Sequence, residues 1–407
     1  MHNKNKWRAA LLIATSVLTV GCEWQKILNL PKVATFFEES SIVENFTSMP
    51  SVFETLTVAA PANNAPLPRA SQPATLPGFI SVEGAFLPVD YFLDYTGTTG
   101  LLIIHNGEIV LEEYRQGHSE NRVHVSWSVA KSMISALIGI AIAEGRITDV
   151  MAPVERYATQ LAGTAYEGVP LKHVLQMSSG VAFSEDYDDD ESDVVQLARI
   201  AALGGSFNAY AAKLTKAAEP GKINHYSSYD TQVLAMVLQG ATGMSLSDYM
   251  SKKLWQPMGA EQDAYWVVDS EGMEMGFGGF NATLRDYGRF GLLYLNQGQA
   301  NGQQVVPAAW IAESLLMDSS HLQPGNTERE TFLGYGYQWW IPENAERDYM
   351  AIGVYNQFIY VSPQHNLVIV KNSANHYYVT DFDDFVTTYL HLAFFRQVAA
   401  TLEASRG

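Results

Sequence analysis

The sequence predicts an α+β fold in which an antiparallel sheet is flanked by helices and interrupted by a large, mostly helical insertion. Strand-like runs occur towards both ends of the chain, in residues 100–114 and 357–373. The segment between them, about 151–330, is largely helix-like and is broken by the turns SSG, EPG and QPMG. Because strands from both ends must pair in one sheet, we assign residues 81–150 and 331–407 to the sheet-containing part.

Local signals predict the individual elements. In GLLIIHNGEIVLEEY (100–114), two β-prone runs flank Asn106-Gly107, which is the strongest short hairpin signal. The apolar run 129–143 is helical, and Gly145 follows it at a position that commonly ends helices. Two further strands flank the turn PQHN. A helix from Asp381 to about Leu402 is expected to close the chain.

The amino-acid composition limits the classes of protein to which this chain can belong. The chain has 407 residues, of which 47% are hydrophobic and 12% aromatic, so it can bury a sizeable core. Its net charge is −18. An acidic surface repels phosphate backbones, and we therefore expect no nucleic-acid partner.

The N-terminus predicts export and lipid anchoring. Residues 1–21 combine a basic start with a short apolar run, as in a signal peptide, and are followed by Cys22, the sole cysteine. This junction resembles the lipobox of bacterial lipoproteins, which implies lipidation of Cys22 and a periplasm-facing protein anchored in the membrane of the cell envelope. A cysteine buried in an anchor helix is the alternative. Residues 22–80, rich in Pro and Ala towards their end, are predicted to be a flexible tether to a domain spanning 81–407.

The pattern Ser128-Val129-Ala130-Lys131 puts a hydroxyl and an amine on one face of a helix. At a helix N-terminus the dipole favours negative charge and disfavours an ammonium. Burial against the apolar helix acts in the same direction, so the pKa of Lys131 is expected to fall, which lets its amine accept the serine proton. Taken alone, a Ser-x-x-Lys match is more often a capping serine followed by a surface lysine.

The surrounding stretch SWSVAKSMISALIGIAIAEGRI (126–147) resembles the nucleophile helix of the serine β-lactamase and penicillin-binding-protein superfamily. It is most similar to the class C-like branch, which includes family VIII carboxylesterases and 6-aminohexanoate-dimer hydrolases. Further matching segments follow in the family's order: LKHVLQMSSG, EPGKINHYSSYDTQVLAMVLQGATG, LWQPMGAE and GGFNATLRDYGRFGLLYL. The resemblance covers roughly residues 85–395 and implies the β-lactamase-like fold.

The resemblance also implies a catalytic tyrosine, Tyr226. The family commonly has Tyr-x-Asn where this chain has Tyr226-Ser227-Ser228, which is a departure. A neighbouring lysine cation favours the phenolate form of a tyrosine. Tyr226 could then carry the proton of Ser128 to the leaving group and activate water for deacylation.

The third family motif lies in DYMAIGVYNQFIYVSP (348–363), which resembles a Gly-x-x-Gly-Gln form with Asn356 replacing the second glycine. The resemblance implies an oxyanion hole formed by the N–H groups of Ser128 and Val354, and a substrate-binding position at Gly353. A Lys-Thr-Gly motif, whose lysine grips substrate carboxylates in penicillin-recognising members, is absent from this region. Its absence weakens the β-lactamase and DD-peptidase alternatives.

The acidic run SEDYDDDESD (184–193) has two interpretations. Such a run is normally a solvated loop. By resemblance to a Glu-Asp-Tyr element in the 6-aminohexanoate-dimer-hydrolase branch, Tyr187 is a candidate substrate contact. A dense set of carboxylates at the entrance would disfavour anionic substrates. The run lacks the glycine and the spacing of an EF-hand, so we expect no metal site there.

Together these features predict a serine hydrolase that cleaves small ester or amide substrates through a Ser128-Lys131-Tyr226 acyl-enzyme mechanism, without a metal or organic cofactor. A carboxylesterase or a 6-aminohexanoate-dimer-hydrolase-like enzyme fits best. The alternatives are a β-lactamase, a DD-peptidase acting on peptidoglycan-type substrates, and an inactive envelope binding module that retains the pocket.

Overall fold

A computed structural model describes residues 30–326, 332–343, 346–378 and 384–404. Its strands are β1 (Thr55–Val58), β2 (Phe79–Val82), β3 (Ala85–Pro88), β4 (Thr98–His105), β5 (Glu108–Tyr114), β6 (His124–Val125), β7 (Ala264–Val267), β8 (Phe280–Ala282), β9 (Gln299–Ala300), β10 (Gln303–Gln304), β11 (Leu333–Tyr335), β12 (Trp340–Pro342), β13 (Tyr349–Gly353), β14 (Gln357–Ser362) and β15 (Leu367–Ser373). Its principal helices are α1 (Ile42–Phe46), α2 (Val89–Tyr95), α3 (Ala130–Ala143), α4 (Leu171–Leu175), α5 (Asp193–Leu203), α6 (Phe207–Tyr210), α7 (Ser228–Thr242), α8 (Leu246–Met250), α9 (Leu284–Leu295), α10 (Ala308–Ser314) and α11 (Asp384–Ala404).

The main sheet has seven strands in the order β11-β12-β13-β14-β15-β4-β5, and each neighbouring pair is antiparallel. The pairing of β15 with β4 joins the C-terminal strands to the N-terminal hairpin, as the sequence predicts. The hairpin turn is confirmed as well. His105 pairs with Glu108, and the intervening Asn106 and Gly107 have φ of +52° and +81°, the left-handed values of a type I′ turn.

Helices cover both faces of this sheet. On one face, Phe394 and Phe395 of α11 pack with Ile103 and Ile369 of the central strands in one buried cluster. On the other face, Phe290 of α9 belongs to a larger cluster that also contains side chains of β4 and β15. The helix α3, which follows the Ser-x-x-Lys motif, packs against α7 within this second layer. The observed α+β architecture, with an antiparallel sheet flanked by helices, confirms the predicted fold class.

A second sheet departs from the predicted outline. It has four strands in the order β1-β7-β8-β6. The segment 151–330, predicted to be mostly helical, contributes β7 and β8, and the region before residue 80 contributes β1. These strands have only two to four residues, and such short runs carry little periodic signal.

The structure differs from the predicted flexible tether over residues 30–80. Phe36, Ile42 and Phe46 are at most 4% exposed and belong to the main core cluster. β1 pairs with β7 in register from Thr55 to Val58. The apolar residues of this segment show no regular period because they enter a tertiary aromatic cluster instead of lining one face of a helix or strand. Residues 1–29, which include the predicted signal peptide and Cys22, lie outside the described residues.

The Pro/Ala-rich part of the predicted tether runs along the body. Ile109 N–H donates to the Pro68 carbonyl at 2.8 Å, and Ala74 N–H donates to the Val110 carbonyl at 2.8 Å. Arg69 is ion-paired with Glu112. This segment therefore covers the outer edge of β5, which would otherwise present unpaired backbone groups.

Candidate active site

Ser128 lies in a tight turn that presents its side chain at the start of α3. The turn is a 3₁₀ segment, Trp127–Val129, and it runs directly into the helix at Ala130. Trp127 has φ of +45°, a left-handed conformation that bulky residues rarely adopt. Ser128 itself is half-buried, so its hydroxyl remains within reach of a ligand.

Lys131 is brought into contact with Ser128, as the spacing predicts. Its side chain is buried, and Nζ lies 2.7 Å from Ser128 Oγ. Nζ also donates to the Phe277 carbonyl at 2.7 Å and to Ser228 Oγ at 3.2 Å. Burial of an amine against an apolar helix is the condition that the predicted base requires.

The partners of Lys131 are arranged for proton exchange. The Phe277 carbonyl can only accept, and the Ser228 hydroxyl donates its own proton to Glu185 Oε1 at 2.6 Å. A neutral amine has two N–H groups and one lone pair. If these two acceptors take the N–H groups, the lone pair is left facing Ser128 Oγ. When the amine is protonated, its third N–H has Ser128 Oγ as an acceptor, so both protonation states are satisfied.

Tyr226 lies beside the lysine amine. Its ring centroid is 5.2 Å from Lys131 Nζ. The ring stacks on Trp340 with centroids 5.4 Å apart and meets the edge of Tyr335 at 6.1 Å. These contacts fix the ring of a side chain that is 8% exposed. The structure therefore brings together the three predicted side chains, Ser128, Lys131 and Tyr226.

Glu185 is a site residue that sequence reasoning missed. Its carboxylate accepts hydrogen bonds from Ser228 N–H at 2.9 Å and from Tyr187 Oη at 2.8 Å, in addition to the Ser228 hydroxyl. Glu185 is the first residue of the Glu-Asp-Tyr element, but only Tyr187 of that element was identified from the sequence as a candidate. Tyr187 is half-buried and reaches the site through Glu185. Its role as a substrate contact stays a prediction.

These contacts explain the departure from Tyr-x-Asn. The third residue, Ser228, stands in place of the family's asparagine, and its hydroxyl oxygen accepts a hydrogen bond from Lys131 Nζ. Because a hydroxyl can turn its proton either way, its direction must be fixed by another group. Glu185 supplies that constraint, since it accepts from both donors of Ser228.

We expect Glu185→Gln to lower kcat about 10–100-fold, which corresponds to the loss of a hydrogen bond to a charged group. The new side-chain amide would donate an N–H to the Ser228 hydroxyl oxygen. The Ser228 hydroxyl would then donate to the lone pair of the Lys131 amine, in competition with the Ser128 hydroxyl. The control is Asp186→Asn, because Asp186 is a neighbouring exposed carboxylate. Equal kcat values for the two variants in an ester hydrolysis assay would contradict this role.

The predicted oxyanion strand lies against the nucleophile turn. Gly353 ends β13, and a methyl group added at its Cα would lie 2.5 Å from the Ser126 carbonyl oxygen and 3.1 Å from Ser128 N. Any side chain at 353 would therefore push the strand away from Ser128. Val354 follows directly and begins the turn to β14. The convergence of the Ser128 and Val354 N–H groups on one oxygen stays a prediction.

The turn after Val354 accounts for Asn356 in place of a glycine. Tyr355 and Asn356 have φ of +62° and +67°, and asparagine tolerates the left-handed conformation better than most residues. Asn356 Oδ1 also accepts a hydrogen bond from Asn375 Nδ2 at 2.9 Å. Gln357 stabilises the turn, because its side-chain amide donates to the carbonyls of Tyr355 at 3.0 Å and Ser373 at 2.6 Å.

We expect Gly353→Ala to lower kcat by about 10²-fold, the usual loss when one oxyanion donor is displaced, with a smaller effect on folding. The measurement is kcat for ester hydrolysis together with the melting temperature. Gly278→Ala is the matched control, because a methyl group there would lie 3.7 Å from Met275 and Trp127. Unchanged kcat in Gly353→Ala would contradict the assignment of this strand to the oxyanion hole.

Two further buried ionisable groups support elements of the site. Burial raises the pKa of Asp230 to about 7; this residue lies in the first turn of α7 and accepts a hydrogen bond from Tyr166 Oη at 2.8 Å. Burial lowers the pKa of Lys371 well below its usual value, and Nζ donates to Ser373 Oγ at 2.5 Å. Neither residue has a sequence signal. Among the described residues, no group of three or more His, Cys, Asp or Glu side chains is arranged to hold a metal ion.

Comparisons with known proteins identify the family. Residues 95–384 match the β-lactamase family. A 6-aminohexanoate-dimer hydrolase from Paenarthrobacter ureafaciens is 33% identical over 291 residues, which are 69% of this chain and 74% of that protein.

Solved structures show the same fold. A Bacillus anthracis protein assigned as a 6-aminohexanoate-dimer hydrolase superposes with a TM-score of 0.78 at 25% identity, covering 91% of this chain and 96% of the other. A family VIII carboxylesterase has a TM-score of 0.55 at 16% identity, covering 76% and 95% of the two chains. The resemblance predicted from the motifs is confirmed, and this chain belongs to the β-lactamase family of serine hydrolases.

Proposed function

We propose that this enzyme hydrolyses ester or amide bonds through a covalent acyl-enzyme on Ser128, as a carboxylesterase or a 6-aminohexanoate-dimer-hydrolase-like enzyme. The observation that carries the proposal is the contact between Lys131 Nζ and Ser128 Oγ at 2.7 Å, with acceptors occupying the other N–H directions of the amine. A serine nucleophile requires an adjacent base of this kind.

Acylation begins when the Ser128 hydroxyl proton passes to the neutral Lys131 amine and Oγ bonds to the substrate carbonyl carbon. The charge on the tetrahedral oxygen is stabilised by the N–H groups of Ser128 and Val354. The carbon–oxygen or carbon–nitrogen bond then breaks. Tyr226 gives its phenolic proton to the departing alcohol or amine and regains a proton from Lys131. The result is an ester on Ser128, with Lys131 neutral again.

Deacylation uses the same groups in the opposite direction. Lys131, with Tyr226, takes a proton from a water molecule as the water oxygen attacks the acyl carbonyl carbon. Breakage of the bond to Ser128 Oγ releases the carboxylic acid, and the proton held by Lys131 returns to Ser128. Each turnover therefore consumes one water and leaves the protonation states unchanged.

Parallel turnover assays with p-nitrophenyl butyrate, the linear 6-aminohexanoate dimer, nitrocefin and a D-Ala-D-Ala peptide test the substrate class. We expect ester or linear amide hydrolysis to exceed turnover of the other two substrates, because the region of the third motif lacks the lysine that grips their carboxylate. Strong nitrocefin turnover with negligible ester and linear amide cleavage would indicate a β-lactamase. Folded protein that no active-site fluorophosphonate labels would indicate an inactive binding module.

We also propose that the enzyme is a lipoprotein of the bacterial cell envelope, anchored through Cys22 and facing the periplasm. The N-terminal sequence supports this, whereas Cys22 lies outside the described residues. In the part of the chain that the structure describes, none of the helices has the length and apolar character needed to cross a membrane. Cys22→Ser should move the protein from the membrane fraction to the soluble fraction. Unchanged fractionation would contradict anchoring at Cys22.

A further inference from the structure

A cavity of about 570 Å³ lies beside the nucleophile turn. Its volume is within the range of small-molecule sites. The N-terminal segment contributes Phe36 and Phe53 to its wall, and α5 contributes Val195, Ala198 and Ala202. The wall is therefore largely aliphatic and aromatic.

The cavity begins next to both proposed oxyanion donors. Trp127 and Tyr355 line it, and they are the chain neighbours of Ser128 and Val354. None of Ser128, Lys131, Tyr226 and Val354 is among the described lining residues, so the cavity adjoins the reacting groups without including them. A substrate whose carbonyl is held by Ser128 and Val354, with its leaving group towards Tyr226, could extend its acyl chain past Trp127 and Tyr355 into this cavity.

Charge at the cavity disfavours an anionic occupant. Arg199, at its wall, is paired with Asp190 at 3.7 Å and with Glu191 at 3.9 Å. Arg199 therefore already faces two carboxylates, and a further anion would add repulsion. An uncharged aliphatic chain meets no such cost and gains from burial.

From this geometry we propose that the cavity binds the uncharged aliphatic acyl chain of the substrate, which makes the enzyme selective for medium-length acyl groups. This inference rests on the proposed function. The N-terminal segment then has a direct role in specificity, because Phe36 and Phe53 form part of the acyl-chain wall.

The first test is a series of p-nitrophenyl esters from acetate to decanoate. We expect kcat/KM to rise roughly threefold per added methylene until the chain fills the cavity. Ala198→Phe and Ala202→Phe place a ring in the cavity and should lower kcat/KM for the decanoate about tenfold or more, while the acetate value stays within about twofold. Ala309→Phe, at an exposed position on α10, is the control and should match the wild type.

Three results would overturn the proposal. The first is a kcat/KM that does not depend on acyl length, and the second is an equal loss of kcat/KM for acetate and decanoate in both variants. The third is a loss of kcat/KM in the variants that is seen only with acetate esters of long-chain alcohols. The third result would assign the cavity to the leaving group.

A binding measurement separates this inference from the proposed function. Octan-1-ol is titrated calorimetrically into the Ser128→Ala protein, with and without Ala198→Phe. We expect binding that weakens about tenfold or more when Ala198→Phe is present. Octanol binding without any ester or amide hydrolysis by the wild type would support the cavity and refute the proposed function. Ester hydrolysis without octanol binding would refute the cavity alone.

Discussion

Replacing Ser128 by alanine should abolish ester and amide hydrolysis, lowering kcat by about 10⁶-fold, while the protein remains folded. The variant removes the atom that bonds to the carbonyl carbon. It also removes one hydrogen-bond partner of Lys131 Nζ, but the Phe277 carbonyl and Ser228 Oγ remain in place. We therefore expect the free energy of unfolding to change by about 1 kcal/mol or less. The measurements are kcat and thermal unfolding of the same preparation.

Ser132→Ala is the matched control for this prediction. Ser132 lies on the same helix, and its hydroxyl donates to the Gln338 carbonyl at 2.6 Å in a buried environment. Its removal should lower the free energy of unfolding by about 1 kcal/mol and leave kcat nearly unchanged. The two variants should thus have similar stabilities, while only Ser128→Ala loses kcat. Hydrolysis that survives in Ser128→Ala, or a variant that fails to fold, would contradict the assignment of the nucleophile.

Lys131→Ala should lower kcat by about 10²–10⁴-fold, the range typical of general acid–base groups. Ser128 would keep its hydroxyl but lose the acceptor for its proton. Because Lys131 is buried, the alanine variant also leaves a cavity and should lower the melting temperature. The kinetic effect is therefore measured at a temperature where unfolding is negligible.

Lys131→Arg distinguishes a base from a cation. A guanidinium keeps the positive charge but does not give up a proton in proteins. If Lys131 acts as a base, the arginine variant should be as inactive as the alanine variant. If the residue supplied only charge to stabilise Tyr226 or the oxyanion, arginine would restore a substantial part of kcat.

Features encoded within a few residues were predictable from the sequence. The hairpin at Asn106-Gly107 depends on a two-residue turn, and the contact between Ser128 and Lys131 depends on helical spacing. The pairing of β15 with β4 required only that strands from both ends share a sheet. Tyr226 was identified by its place in a familial segment, and the structure puts its ring beside the amine.

Features that depend on distant residues were not predictable. Glu185 acts on Ser228, which is 43 residues further along the chain, and an acidic run gives no sign of which carboxylate points inward. The N-terminal segment is a similar case. Phe37 stacks on Tyr355 with ring centroids 5.3 Å apart, so the packing of this segment depends on a turn more than 300 residues away in the sequence. Without that partner, the segment has the composition of a tether.

The most direct test of the acyl-enzyme mechanism is acid quenching during hydrolysis of p-nitrophenyl butyrate, followed by intact-mass measurement and peptide mapping. The mechanism predicts a butyryl adduct on the peptide that contains Ser128, formed within the first turnover and absent from Ser128→Ala. An adduct on a different residue, or steady hydrolysis that persists in Ser128→Ala, would contradict it.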